Sequence, residues 1–470
     1  MNPADTNQDC SAKIDALCRV PLLVLFNGAA LWLVLGLALS LFASLTFHAP
    51  EQFSCCPYMT YGHAVAAASD LLVYGFVIPA ALGVMLWIFA RLSQDKLELP
   101  LVVFLAGHLW HLGVFVGTVG ILTGHSTGYQ WLEYPRAADA LLGVAFVLIA
   151  ISAFATFGLR KERELYPSHW FLLAALLVFP WIYSSANVFI VTNHPVRGVG
   201  QAVINWWFAN NLIFVWLALA GLGIAFYFLP KIANRPLHSR FWALFAFWTL
   251  LLFGTWLGIP AGAPVPAWLP AASQFASLLM IVPIVATAVI LKNILWGANV
   301  KCFGGTYCYI RFGSVMFVVS ALMLVAAGCP DFSRTVEFTW FGTAQAQLQI
   351  LGFATMILAG AIYEIIPRTM GTALPFEKFK TLQFFASVLG VLLLVISLAV
   401  AGIAQGKSNF ASGAGKIALM VSTTGWLFLL LGSLSLLLNI LVMTMKWKLG
   451  LAKSAWAAIT APLADSEVKS

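Results

Sequence analysis

Three glutamines stand near the start of an otherwise apolar stretch running from Phe338 to Arg368. Gln345 and Gln347 are two residues apart, so at about 100° per residue on a helix they point to nearly opposite sides, while Gln349 shares the face of Gln345. An amide in hydrocarbon costs on the order of a few kcal/mol unless it is hydrogen-bonded, so all three should face other helices and not lipid. His108 and His111, in the run GHLWH, fall on one helix face and make either half of a metal site or polar groups within a bundle. His63, near a helix mouth, reads as a hydrogen-bonded cap or as a ligand. Asp70 is expensive inside a helix, and is either a structural group, protonated or paired, or part of a polar path. Such a path, for protons or a small ligand, would draw on Asp70, Asn210, Lys292, Gln345, Gln347 and Glu364. Glu364 also reads as a carboxylate paired with Arg368, one turn on.

The elements that must hold these residues follow from composition. Of 470 residues 61% are hydrophobic and 9% charged, outside the range of soluble globular chains. An all-α integral membrane protein is expected. At about 20 residues per span, the sequence divides into twelve transmembrane helices near 21–47, 65–91, 100–123, 137–158, 168–192, 207–229, 240–258, 268–295, 310–328, 343–366, 380–404 and 418–445. The expected organisation is a cytoplasmic N-terminal segment 1–20, a twelve-helix membrane domain 21–446 and a cytoplasmic C-terminal tail 447–470, with no room for a separate soluble domain.

With both termini inside, Arg136, Arg197, Arg334, Lys407 and Lys416 are the basic residues placed outside, which leaves twenty of the 25 on the inner side, as the positive-inside rule requires. The formal net charge of +8 therefore reads as topology and contact with anionic headgroups of the lipid bilayer, not nucleic-acid binding. The 7 cysteines show no metal-site spacing. A disulfide is open to the loop holding Cys55-Cys56, and free thiols are expected at Cys10, Cys18, Cys302 and Cys308 on the inner side. Met1 to Cys18 is polar, and no cleavable signal is evident.

Phe338-Thr339, Gln345-Ala346-Gln347, Gly352-Phe353, Ile362-Tyr363-Glu364 and Pro367-Arg368 stand in one frame. That frame resembles the tenth transmembrane helix of subunit I of the heme-copper oxidases. Thr60-Tyr61-Gly62 and Tyr74-Gly75-Phe76 are similar to marks of the family's second helix. Phe226-Tyr227-Phe228-Leu229-Pro230-Lys231, with Arg235-Pro236, is similar to the inner turn after its sixth, and Ala401 to Gly406 to the stretch after its eleventh. The resemblance covers nearly the whole chain and is strongest to the cbb(3)-type cytochrome c oxidase catalytic subunit. Placed in those frames, the family's heme and copper ligands fall on Ala68, Asn210, Pro260, Ala261, Gln345 and Gln347. The resemblance implies that the places of Gln345 and Gln347 each belong to one of two hemes, that of Ala68 to the low-spin heme, and those of Asn210, Pro260 and Ala261 to copper. None of the six side chains is a good ligand for heme iron or copper, and no histidine occurs after His238.

A degenerate member of the family is the resulting expectation, without catalytic residues, metal or cofactors. It would be a scaffold or anchor in the bacterial inner (cytoplasmic) membrane, within a larger respiratory or electron-transfer complex. Its implied partners are other membrane subunits, including c-type cytochrome or other redox subunits. A centre once shaped for two porphyrins should be refilled by large side chains, Trp206, Trp207, Trp340 and Phe341 among the candidates. Two other readings stand beside it. One is a proton or small-ligand conduit coupled to a partner's redox chemistry. The other is an oxidase or nitric-oxide reductase that holds heme b through His63, His108 or His111.

Overall fold

The computed structural model describes residues 3–53, 56–192, 195–237, 239–296, 298, 300, 303–407 and 413–460. Among them there is no strand. The long helices in chain order are α1 (Pro3–His48), α2 (Tyr61–Ser93), α3 (Pro100–Leu122), α4 (Arg136–Gly158), α5 (Pro167–Val191), α6 (Val199–Ile232), α7 (Arg240–Gly254), α8 (Trp268–Leu295), α9 (Thr306–Gly328), α10 (Trp340–Met370), α11 (Glu377–Gly406) and α12 (Ala414–Thr460). Eleven of these, all but α7, are long and apolar enough to cross a membrane among the described residues.

The helix α7 is 15 residues, about 22 Å at 1.5 Å per residue, against a hydrocarbon core of about 30 Å. Its expected last residues, 255–258, leave the helix because Gly258 turns to φ +107° just before Pro260, which removes a donor and restricts the residue ahead of it. The ends of the chain differ from expectation in the other direction. α1 begins well before residue 21, and α12 runs on past residue 446. The N-terminal extension is docked: Trp87 donates from Nε1 to Asp15 at 2.8 Å, and Arg91 pairs with Asp15 at 3.4 Å.

Three helices form the centre. The apolar windows of α2, α6 and α10 are 100%, 94% and 89% buried, whereas those of the other long helices are half buried or less. Each central helix carries a π-helical stretch in its middle: Leu71–Val77 in α2, Asn211–Trp216 in α6 and Leu348–Thr355 in α10. A π-turn holds one extra residue and rotates the turns before it relative to the turns after it. Each stretch begins within three residues after Ala68, Asn210 or Gln347. A fourth, at Asn187–Val191, closes α5.

Cys308 is disulfide-bonded, which corrects the free thiol expected there; an argument from sidedness takes no account of which sulfurs the fold brings together. Cys18, Cys56 and Cys329 are free. Cys55, Cys302 and the side chain of Cys10 lie outside the described residues.

Candidate functional site: two cavities divided by one helix

Gln345 and Gln347 sit in the first turns of α10, before the π-turn, and the structure sends them to opposite sides as their spacing dictates. Thr339 caps the helix by accepting from the Phe341 amide at 3.3 Å. Gln345 lines a cavity of about 390 Å³ together with Asn210 from α6 and with Pro260 and Ala261 from the α7–α8 connection. Gln347 lines a second cavity of about 100 Å³ with Ala68 from α2. Thr343 lines both, so α10 is the partition. The six places singled out by sequence therefore fall into a set of four and a set of two, one set on each side.

In the wide cavity the amides are turned to the backbone. Asn210 donates to Gly254 O at 3.2 Å and Gln345 to Ser320 O at 3.5 Å. The Ala261 amide donates to the carboxylate of Glu337 at 2.7 Å. Gly258 brings the α7–α8 connection onto α6: a Cβ there would meet Trp206 O and Asn210 Cβ, both at 2.7 Å. Trp206 and Phe341 line this cavity but leave it open. Trp207 does not line it, and instead donates to Thr255 O at 3.2 Å.

The narrow cavity is closed by Trp340, Trp426, Phe47 and Tyr61. Its Gln347 Oε1 is buried without a hydrogen-bond partner. It also holds a histidine that sequence reasoning passed over, His48, whose Nε2 lies 3.1 Å from Thr423 Oγ1. The signal was weak: His48 stands at the last turn of α1, outside every family frame.

Subunits of this architecture carry hemes and copper, so the donor set is the test. Among the described residues the wide cavity is lined by no histidine, cysteine or methionine, and the carboxylate there, Glu337, is engaged with a backbone amide. The narrow cavity offers one imidazole in a volume well below the roughly 300 Å³ at which pockets begin to take extended organic groups. The residues present fit neither heme iron nor copper.

The three histidines named as fallback ligands do not meet at either cavity. His111 accepts from Trp32 Nε1 at Nδ1, 3.2 Å, and its Nε2 lies 3.2 Å from Val24 O, so both ring nitrogens are used. Its ring rests on Gly28, where a Cβ would approach within 2.2 Å. His108 is exposed, its Nδ1 2.9 Å from Phe104 O, in a peripheral groove between α1, α3 and α12 that it shares with His111. His63 is not the cap but is capped: Thr60 Oγ1 accepts from the His63 amide at 3.4 Å. Lys292 is exposed at the end of α8, near the Trp296 ring, and joins no interior path. Glu364 pairs with Arg368, as its spacing suggested.

Asp70 is fully buried, and its carboxyl interacts with that of Glu133. Beside it stand Glu133 and Asp139, both nearly buried, with Tyr74, Tyr134 and Tyr183. Tyr183 donates to Asp139 at 2.7 Å and Tyr74 to Trp131 O at 2.6 Å. Burial pushes the Glu133 carboxyl, in the α3–α4 loop, up to about 7, partly offset by backbone amides of Trp131 to Glu133. Sequence reasoning found Asp70 but not the other two acids. Glu133 lies in the α3–α4 loop and Asp139 in the first turn of α4, and only the packing of α2, α4 and α5 gathers them.

A helical membrane bundle with a buried central helix dividing two cavities is the heme-copper oxidase subunit I architecture. The cytochrome c and quinol oxidase polypeptide I family matches residues 21–432, and this chain belongs to that family. The chain is 23% identical over 403 residues to the cbb3-type cytochrome c oxidase subunit CcoN1 of Stutzerimonas stutzeri, covering 80% of this chain and 81% of that one. It is 23% identical over 405 residues to a cytochrome c oxidase subunit 1 homolog of Azorhizobium caulinodans, covering 80% and 71%. It is 25% identical over 326 residues to cytochrome c oxidase subunit 1 of Rhodobacter capsulatus, covering 63% and 58%.

Proposed function

We propose that this chain is a non-catalytic, cofactor-free subunit that acts as a scaffold or anchor within a larger respiratory complex of a bacterial cytoplasmic membrane. The observation that carries the reading is the lining of the two cavities. All six ligand places hold side chains that bind neither iron nor copper, and around the wide cavity the amides at those places are committed to backbone carbonyls. The partners are other membrane subunits, c-type cytochromes or other redox proteins among them, and both termini lie on the cytoplasmic side. The test is an absorption spectrum and metal analysis of the purified chain, with mass spectrometry of what accompanies it in mild detergent. Absence of heme and copper with redox subunits attached supports the scaffold; one heme per chain overturns it.

The buried group of Asp70, Glu133 and Asp139 favours a second reading, a conduit coupled to a partner's redox chemistry. Three acids with no buried cation beside them must share protons to stay inside, and a shared proton is one that can be passed on. The path would run through Asp70 and not through Lys292. Replacing Asp70 by Asn with no change in proton movement by the assembled complex removes this reading.

A further inference from the structure

The three central helices end at the same face, and each carries a cation in its last turns: Arg91 in α2, Lys231 in α6 and Arg368 in α10. Between them lies a cup of about 260 Å³. Its floor is aromatic: Trp87, Tyr227 and Phe228 are each at most 5% exposed, with Trp87 stacked on Phe228 at 5.8 Å. Its rim carries three cations, Arg91, Lys231 and Arg368, and one carboxylate, Glu364. Arg91 is held by Asp15 and Arg368 by Glu364. Lys231 has no carboxylate within ion-pair distance among the described residues; its Nζ sits 3.8 Å from the centre of the Tyr227 ring.

Compensation of helix dipoles explains one cation in each last turn. It does not explain why the three helices leave a hollow between them, or why the one cation without an acid leans over that hollow. An oxyanion satisfies both. Guanidinium groups bind phosphate in a forked geometry, and an ammonium binds it as a point charge. The aromatic floor gives an attached organic group a surface to lie on.

We propose that this cup binds a phosphate group, that of a soluble phosphate ester or of an anionic lipid, with Lys231 as its principal contact. The site is separate from both cavities and does not depend on the scaffold reading. Binding is screened by salt, as expected of a partly exposed ionic site.

The experiment uses the full chain in detergent and in nanodiscs. Equilibrium dialysis with labelled inorganic phosphate and with adenosine monophosphate measures the soluble arm. Native mass spectrometry after exchange into phosphatidylglycerol or phosphatidylcholine nanodiscs measures the lipid arm. One saturable equivalent in either arm, weakened tenfold or more by Lys231→Gln, restored by Lys231→Arg and with an unchanged unfolding midpoint in the absence of ligand, is the expected result. Saturation by phosphate or the nucleotide identifies a soluble ester, and retention of phosphatidylglycerol alone identifies a lipid. The paired variant Glu364→Gln/Arg368→Gln, which leaves Lys231 in place, should weaken the same equivalent. No saturable binding in either arm, or binding that Lys231→Gln leaves unchanged, overturns the proposal.

Discussion

The two cavities on either side of α10 are both lined by amides and small or apolar side chains at the places singled out by sequence, yet they differ in size, about 390 Å³ against about 100 Å³. The narrow one is walled by long continuous helices, α1, α2, α11 and α12, whose side chains, with Trp340 of α10, reach into the space as Phe47, Leu398 and Trp426. The wide one is walled in part by the α7–α8 connection, where Gly258 and Pro260 set the backbone and side chains are small. Helices packed face to face can refill a hollow by enlarging side chains. A loop pinned against α6 through Gly258 has no such freedom, and the hollow beside it persists. The stiffness and composition of a cavity's walls, more than the residues at any one place, set how much space it keeps.

The largest test of that contrast is removal of a plug. Trp426→Ala in the narrow cavity should destabilise by about 3–5 kcal/mol, read as a lowered thermal midpoint in detergent. Phe341→Ala, at the larger cavity, should cost less. A larger loss at Phe341 would mean that the wide cavity is the better packed of the two.

Glu133 comes next in size. It holds the loop whose Gln130 and Trp131 wall the wide cavity. Its carboxyl is raised from 4.5 to about 7, so the folded chain binds this proton more tightly than the unfolded one. The stability tied to this proton is full below pH 4.5 and is lost as pH rises through about 7. Glu133→Gln should flatten the thermal midpoint across that window; an unchanged slope would remove Glu133 from the account.

Restoring histidines separates the cavities chemically. Asn210→His/Pro260→His/Ala261→His should bind one copper per chain, seen by metal analysis after dialysis, because the wide cavity has room for the rings. Ala68→His/Gln347→His should fail to take up heme in reconstitution and should cost about 1–3 kcal/mol by overpacking. Heme uptake by the second variant would refute the view that the narrow cavity has been filled in.

The smallest effect concerns the two glutamines themselves. Gln347→Leu removes a buried oxygen that has no partner and should be neutral or slightly stabilising, whereas Gln345→Leu gives up a hydrogen bond and should cost about 0.5–1 kcal/mol. Chemical unfolding of the two variants side by side checks the sign.

Much of this was legible in the sequence. The opposed faces of Gln345 and Gln347 come from helical geometry and hold in the structure. So does the Glu364–Arg368 pair. The twelve helices come from hydropathy, although α7 falls short of a spanning length because Gly258 and Pro260 end it. What was not legible depended on contacts between distant segments. Glu133 and Asp139 become partners of Asp70 only through packing, and His48 enters a cavity only because α1 lies against α10 and α12. The histidines show the converse. His111 looked available in one dimension, yet α1 contributes Trp32, Val24 and Gly28 to occupy it on every side.

The π-turns give α2, α6 and α10 one residue more than a regular helix needs. Deleting a residue within Leu348–Thr355 would heal α10 and rotate everything before it by about 100°, turning Gln345 and Gln347 away from their cavities. The surplus residue is thus a fixed aiming device, and the chain spends backbone regularity to point two amides into two separate cavities.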